Sequence, residues 1–416
     1  MKKITITNAY TWDNKGDAGI LLGIVEELKR VFNNDVEFTI LSFTPEKDKE
    51  NYCKDKTIKD VYSNILNPHP YKHTKIGKIC AIIKLICKVI KTSIGLTLFR
   101  KHTIRNNTVL KKLNDSDIIV VCGGGFLGGK KLESLMHLYQ ININTKFHKP
   151  VYIMGTSIEP IKNHLIKYYT EKILKKVDYV YAREEITEKY LSTFLEQDKH
   201  TLIPDMAFML EACNDRVQFI EDLRKQNRVL IGITVRKWNF PNAQDKKKAK
   251  SRYINEIVKF MEQSIKNYNA TFIFIPQVIV DYASDVDIAK EIKQNISEEK
   301  KDYFIIREDD WTPSEIKNVI GKLDYFVGTR MHSNIFSTSM FIPTLAIAYE
   351  KKTDGIMKTV KQEKYVENID NISSESLITK LEDIMKNRQI ISDVLKETIP
   401  TIKEEIDEKI RRYIKN

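Results

Sequence analysis

A chain of 416 residues that is 42% apolar and 9% aromatic is too long for one ordinary core and too rich in core-forming residues for disorder, so two α/β-sized domains are expected. Five cysteines, Cys53, Cys80, Cys87, Cys122 and Cys213, show no CxxC pairing, which disfavours zinc ribbons and disulfide frameworks and fits a reducing compartment. The net charge of +12 is unevenly placed, because Val61 to Asn114 holds eleven Lys or Arg and no Asp or Glu.

The start, MKKITITNAY, runs into a strand over Lys3 to Ala9 without an apolar signal segment, so a cytoplasmic location is expected. Gly16-Asp17 opens a helix whose apolar positions Ile20, Leu21, Ile24, Val25 and Leu28 keep helical spacing to about Phe32. Val36 to Phe43 is the next strand. The basic insertion follows, about residues 61–114. Its middle, IGKICAIIKLICKVIKTSIGLTLF, sets Lys84, Lys88 and Lys91 on one helical face and Ile79, Ile82, Ile83, Ile86 and Ile90 largely on the other. No uncharged run there reaches the roughly 18 residues a membrane span needs. The helix therefore either lies on an anionic bilayer surface, with residues 72–112 at the inner face of the membrane, or packs on the protein with a solvated basic rim. Nucleic acid is not expected, since no aromatic residue interleaves with the cations between Tyr71 and Phe99. His69 and His73 have H-x-x-x-H spacing, but no carboxylate accompanies them and no metal site is read there.

Beyond the insertion, Asp117 to Cys122 is a buried-type strand closed by Gly123, Gly124 and Gly125. Helices over Leu132 to Thr145 and Lys162 to Lys175 alternate with strands over Pro150 to Gly155, Asp178 to Ala182 and Thr201 to Pro204. A charged connection near Glu211 to Gln226 separates a second series. That series has strands at Val229, Ala270 to Pro276, Tyr303 to Ile306, Tyr325 to Val327 and Thr344 to Tyr349, with helices between them. From Ser374 onward the chain is helical. Alternating strands and helices make parallel sheets covered on both faces. The expectation is an α/β chain of two Rossmann-like domains facing a cleft, 1–212 with the insertion and 227–373, with C-terminal helices over 374–416.

The chemistry gathers at the strand ends. Arg330 and His332 sit at the start of a helix that follows the Phe326-Val327 strand, where backbone N–H groups and the helix dipole favour an anion. Neighbouring positive charge there should depress the His332 pKa. The next strand delivers Lys351 and Lys352 to the same edge. Arg183 and Arg236 each end a strand, where a ligand-binding arginine belongs. Trp238 either stacks on a sugar or fills the core. Asp17 either caps its helix or takes a proton from an acceptor hydroxyl. Gly123, Gly125 and Gly128 form a G-x-G-x-x-G, yet no acidic residue follows at the distance a dinucleotide site needs. These glycines, with Gly124 and Gly16, make either a tight turn or a backbone cradle for a ligand.

Read together, NKGDAGIL (Asn14 to Leu21), CGGGFL (Cys122 to Leu127), GTSIEP (Gly155 to Pro160), AREEITEKYL (Ala182 to Leu191), PDMAFML (Pro204 to Leu210), ITVRKW (Ile233 to Trp238), IPQV (Ile275 to Val278) and TRMHSNIFSTSMFIPTLAIAYEKK resemble the polysaccharide pyruvyl transferase family, in its order. Departures are the long basic insertion and Lys351, where many relatives carry proline. The resemblance implies a GT-B-like domain pair and transfer of the enolpyruvyl unit of phosphoenolpyruvate to two sugar hydroxyls, forming a cyclic ketal and releasing phosphate. The acceptor would be a surface polysaccharide or its lipid- or nucleotide-linked precursor. On this reading Arg183, Arg330, Lys352 and Arg236 hold the donor's carboxylate and phosphate, His332 is the general acid and Asp17 the base. Gly16, Gly124 and Gly125 line the acceptor or cradle the backbone. No metal or cofactor is expected, because fixed cations already neutralise the donor. The competing readings are a GT-B nucleotide-sugar glycosyltransferase and a non-catalytic sugar-binding or membrane scaffold protein.

Overall fold

The computed structural model describes residues 1–66, 75–128, 132–279 and 284–414; His69, His73 and Lys72 lie outside them. The first series of strands is β1 (Lys2–Ala9), β2 (Val36–Ser42), β3 (Ile58–Ser63), β4 (Ile118–Gly128), β5 (Val151–Glu159), β6 (Tyr179–Ala182) and β7 (His200–Leu202). They form one parallel sheet in the order β3-β2-β1-β4-β5-β6-β7. The second series is β8 (Val229–Thr234), β9 (Ala270–Phe274), β10 (Phe304–Ile306), β11 (Tyr325–Gly328), β12 (Thr344–Ala348) and β13 (Val366–Asn368). It forms a parallel sheet in the order β10-β9-β8-β11-β12-β13. Every residue of β6, β9, β11 and β12 is buried, as strands covered by helices on both faces must be. Each sheet reverses its strand order once, between β1 and β4 and between β8 and β11. That topology puts a ligand crevice at the carboxyl ends of those strands.

The chain divides into two compact units, one of residues 1–12, 20–206 and 405–416, the other of 13–19 and 207–404. The C-terminal helices, expected as one segment over 374–416, are shared between the two units. Helix Ser374–Lys386 joins the second unit, where the Ser374 N–H donates to Glu256 at 2.8 Å and Tyr268 donates to Glu382 at 2.5 Å. The end of helix Arg388–Tyr413 returns to the first unit, where Lys409 donates to the Leu202 carbonyl at 2.8 Å and Tyr413 stacks on Tyr179.

Two further expectations change. The strand expected to close at Cys122 continues to Gly128, so the triple glycine is paired sheet. Its reason is close approach, since a Cβ on Gly123 would run into the backbone of Met154 and Gly155 on β5. The helix of the insertion, Lys75–Leu98, packs on the first unit, but through a different face. Leu85, Val89 and Leu96 meet the core, Thr92 is buried, and Tyr139 donates to the Val89 carbonyl at 3.1 Å. Ile82, Ile83, Ile86 and Ile90 remain exposed.

Candidate functional site

In the second unit the sheet's reversal collects chemistry. The chain leaves β8 into Arg236, β9 into Gln277, β11 into Arg330 and β12 into Tyr349 and Lys352. Thr234, the last residue of β8, organises the turn after β11. Its Oγ1 accepts the Thr329 and Arg330 N–H groups at 3.0 and 3.3 Å and lies 3.0 Å from Ser333 Oγ. Ser333 Oγ in turn donates to the Arg330 carbonyl at 2.6 Å. The turn is thereby held from both strands.

Arg330 is the N-cap of helix Met331–Ser339 and makes no side-chain cap; His332 is the second residue of that helix. The first-turn N–H groups of a helix have no partner within it, so Arg330 and His332 stand beside donors suited to an anion. Arg330 is clamped by Asp285, Nε to Oδ2 at 3.0 Å and Nη2 to Oδ1 at 2.5 Å. Asp285 Oδ2 also accepts the Val278 N–H at 3.2 Å. Burial works against the Arg330 charge, but Asp285, Tyr349 and Asp17 outweigh it and hold the guanidinium more basic than usual. Arg236 lies 4.0 Å from the Tyr349 ring centre and 5.2 Å from that of Trp238, a cation–π arrangement that fixes its direction. Burial pushes the Tyr349 hydroxyl up, so it stays a neutral donor. Trp238, half-buried, packs against Tyr349 with ring centres 4.9 Å apart and lies beside Arg236. Lys352 lies in the first turn of helix Lys351–Thr359, on the same edge.

The NKGD segment belongs to this unit too. Asn14 bridges to Val278, the Lys15 N–H donates to the Gln277 carbonyl at 2.9 Å, and the Ile279 N–H donates to the Asp13 carbonyl at 3.0 Å. Two motifs far apart in sequence are thus stitched backbone to backbone. Gly16 explains itself here: a Cβ on it would lie 2.6 Å from His332 Cγ, inside the ring's space. Asp17 stands at the third helical position and accepts from Asn14 Nδ2 at 2.5 Å, while Asn14 Oδ1 lies 3.5 Å from the Asp17 N–H. Asn14, not Asp17, is thus the capping side chain. Asp17 is close enough to Arg330 to raise its basicity.

Three contributors were not singled out from the sequence. Asp285 orients Arg330. Lys15, buried, forms an ion pair with Asp310 at 2.5 Å. Gln277, buried, finds no hydrogen-bond partner among the described residues for either side-chain amide atom. The IPQV motif could have flagged Gln277, because a polar residue closing an apolar strand marks the ligand edge. Asp285 and Lys15 carried no comparable signal.

The remaining site residues lie in the first unit. Arg183 follows β6 as expected, but it forms a buried ion pair rather than a surface one. Its Nη1 meets Asp205 Oδ2 at 2.7 Å and its Nε donates to Ser157 Oγ at 2.7 Å, with the two charged side chains 5% and 1% exposed. Gly124 is buried and Gly125 exposed, both within β4.

Comparison with known proteins adds three findings. Residues 14–351 match the family described as Polysaccharide pyruvyl transferase. The chain is similar to the Amylovoran biosynthesis protein AmsJ of Erwinia amylovora, 24% identical over 411 residues, or 94% of this chain and 93% of AmsJ. Among solved structures it is similar to a putative UDP-N-acetylglucosamine 2-epimerase from Listeria monocytogenes (TM-score 0.60, 10% identity, 98% of this chain and 94% of that one). It is also similar to the UDP-GlcNAc 2-epimerase from Methanocaldococcus jannaschii (TM-score 0.55, 14% identity, 92% of each). At such identities the likeness establishes the fold, a GT-B-like pairing of parallel α/β sheets.

Proposed function

Because the chain belongs to the polysaccharide pyruvyl transferase family, we propose that this transferase takes the enolpyruvyl unit from phosphoenolpyruvate and closes it as a ketal on two hydroxyls of one sugar. The sugar sits in a surface polysaccharide or its lipid- or nucleotide-linked precursor. The observation that carries the reading is the convergence of Arg236, Arg330, His332 and Lys352 at the reversal of the second sheet, with the NKGD segment stitched beside them.

The chemistry follows from the groups present. Addition of the first acceptor oxygen to the enol carbon needs a proton at the methylene and a sink for the hydroxyl proton. His332 supplies the first, and Asp17, near Arg330 and one residue from the glycine under the His332 ring, takes the second. The second hydroxyl then forms its bond to the same carbon as the carbon–oxygen bond to phosphate breaks, and its proton leaves with the phosphate. Arg330 is built for the donor: Asp285 takes the Nε and Nη2 edge, which leaves Nη1 for a carboxylate or phosphate oxygen. Arg236 and Lys352 add charge, and the start of helix Met331–Ser339 adds N–H donors. Arg183 enters through its place at the end of a strand and through the resemblance, and its tie to Asp205 gives it a separate structural duty.

The test is a donor panel. Phosphoenolpyruvate and nucleotide sugars are offered with a library of sugar acceptors while phosphate and nucleoside diphosphate release are followed side by side. Acceptor-dependent phosphate release from phosphoenolpyruvate is the expected result. Nucleoside diphosphate release from a nucleotide sugar, with none of the former, would replace this reading by a glycosyltransferase.

A further inference from the structure

The helix Lys75–Leu98 presents three sectors. At 3.6 residues per turn, Leu85, Val89, Thr92 and Leu96 share one side, and this is the side that meets the first unit's core. Ile82, Ile83, Ile86, Ile90, Ile94 and Leu98 spread over a roughly 160° sector next to it, and all of them are exposed. Ile86 is 52% exposed, Ile90 51% and Leu98 68%. Lys84, Lys88 and Lys91, also exposed, fill the sector that remains, bordering the isoleucines. A helix apolar on two sides belongs in a core, yet only one of its apolar sides is covered. A run of exposed branched residues this long marks a contact surface rather than scattered surface hydrophobes.

Charge decides the occupant. No Asp or Glu falls between residues 61 and 114, and Arg100, Lys101 and Arg105 continue the positive field beyond the helix end. A second copy docking on the same face would bring its own lysine stripe against this one, and like charges across a two-fold contact repel. An anionic bilayer offers apolar interior to the isoleucines and headgroup charge to the lysines beside them. No described helix is long and apolar enough to cross a membrane, so the fitting pose is a helix lying in the interface plane.

We propose that the exposed isoleucine sector of helix Lys75–Leu98, with its flanking lysines, is a docking surface for an anionic lipid bilayer. This surface is independent of the reading given to the anion site. It would bring the protein to acceptors carried on lipid.

The experiment is co-sedimentation of the full chain with vesicles of phosphatidylcholine alone and of phosphatidylcholine mixed with phosphatidylglycerol. The wild type is expected to pellet with the mixed vesicles, to stay in solution with the neutral ones, and to release at high salt. Exchanging Lys84, Lys88 and Lys91 together for Gln should weaken vesicle affinity about 100-fold, taking roughly fivefold per lysine near the surface. The double variant Ile86→Asp, Ile90→Asp should abolish binding while its thermal melt matches the wild type, since both positions face solvent. Wild type that stays in solution with anionic vesicles overturns the proposal, as does binding that the double variant leaves unchanged. So does a lipid-free, concentration-dependent dimer that the double variant dissolves, which would make the face a self-association surface.

Discussion

Substituting Gly16 by alanine isolates the geometry of His332 from its chemistry. An ideal Cβ at position 16 falls 2.6 Å from His332 Cγ and 2.9 Å from His332 Cβ. Carbon atoms pack at about 3.5 Å or more, so the imidazole must retreat by about 1 Å. The clash is closest at the ring's Nδ1 and reaches back to Cβ, so rotation about the ring bond alone does not relieve it. Alanine is worth about 1 kcal/mol over glycine in a helix, while overpacking costs about 1–3 kcal/mol. The two effects oppose, and the net change in stability should stay within about 2 kcal/mol. Turnover should not be spared, because a displacement of about 1 Å at a proton donor can cost about 100-fold. Steady-state phosphate release from phosphoenolpyruvate and a thermal melt on the same preparation make the measurement. Turnover within about twofold of wild type would show that His332 need not stand where Gly16 lets it stand.

Other substitutions test other parts of the structure. Arg183→Met strips the buried Asp205 of its guanidinium and should cost about 3–5 kcal/mol, read as a lower urea midpoint; an unchanged midpoint removes Arg183 from the framework. Gln277→Met should move stability and activity in opposite directions. Removing a buried amide that has no partner among the described residues should stabilise by about 1 kcal/mol, while KM for donor or acceptor rises about tenfold if that amide meets the substrate. Loss of stability without change in KM contradicts this. Glu27, buried beside Asp407, has its carboxyl pushed up to about 8 from 4.5, first by burial and then by Asp407. The folded protein thus keeps a proton between pH 4.5 and 8 that the unfolded chain releases, and stability contributed by this group is full below that window and lost as pH rises through it. The loss is at most about 5 kcal/mol. Glu27→Gln should therefore gain on the wild type progressively from pH 5 to pH 8 in urea unfolding, and a pH-independent difference would refute the assignment.

Much of this was legible in the sequence, for identifiable reasons. Helix Pro313–Ile320, one of the helices expected between the strands of the second series, carries local signals, a proline in the first turn and a capping box from Thr312 and Glu315. Arg330 and His332 were legible because an apolar run stops at Gly328 and a helical period begins just after. What escaped depends on contacts distant in sequence. The triple glycine reads as a turn until β5 is laid against it. Asp285 looks like an ordinary first-turn acid until Arg330 arrives from 45 residues away. In the insertion helix the face that packs is not the strongest apolar stripe, which the sequence alone cannot tell; Leu85, Val89 and Leu96 are fewer, but they meet the core formed with Leu110 and Leu113. Strand β3 and helix Pro45–Tyr52 were overlooked, the helix because it is nearly all polar outside Tyr52.

The measurement closest to the central claim separates grip from proton transfer at one residue. Phosphoenolpyruvate binding by calorimetry and acceptor-dependent phosphate release are compared for wild type and His332→Ala, both checked for the same melting temperature. Binding kept within a few-fold, with release reduced by about 100-fold or more, is the predicted outcome. Full release by the variant, or a wild type that does not bind phosphoenolpyruvate at all, contradicts it.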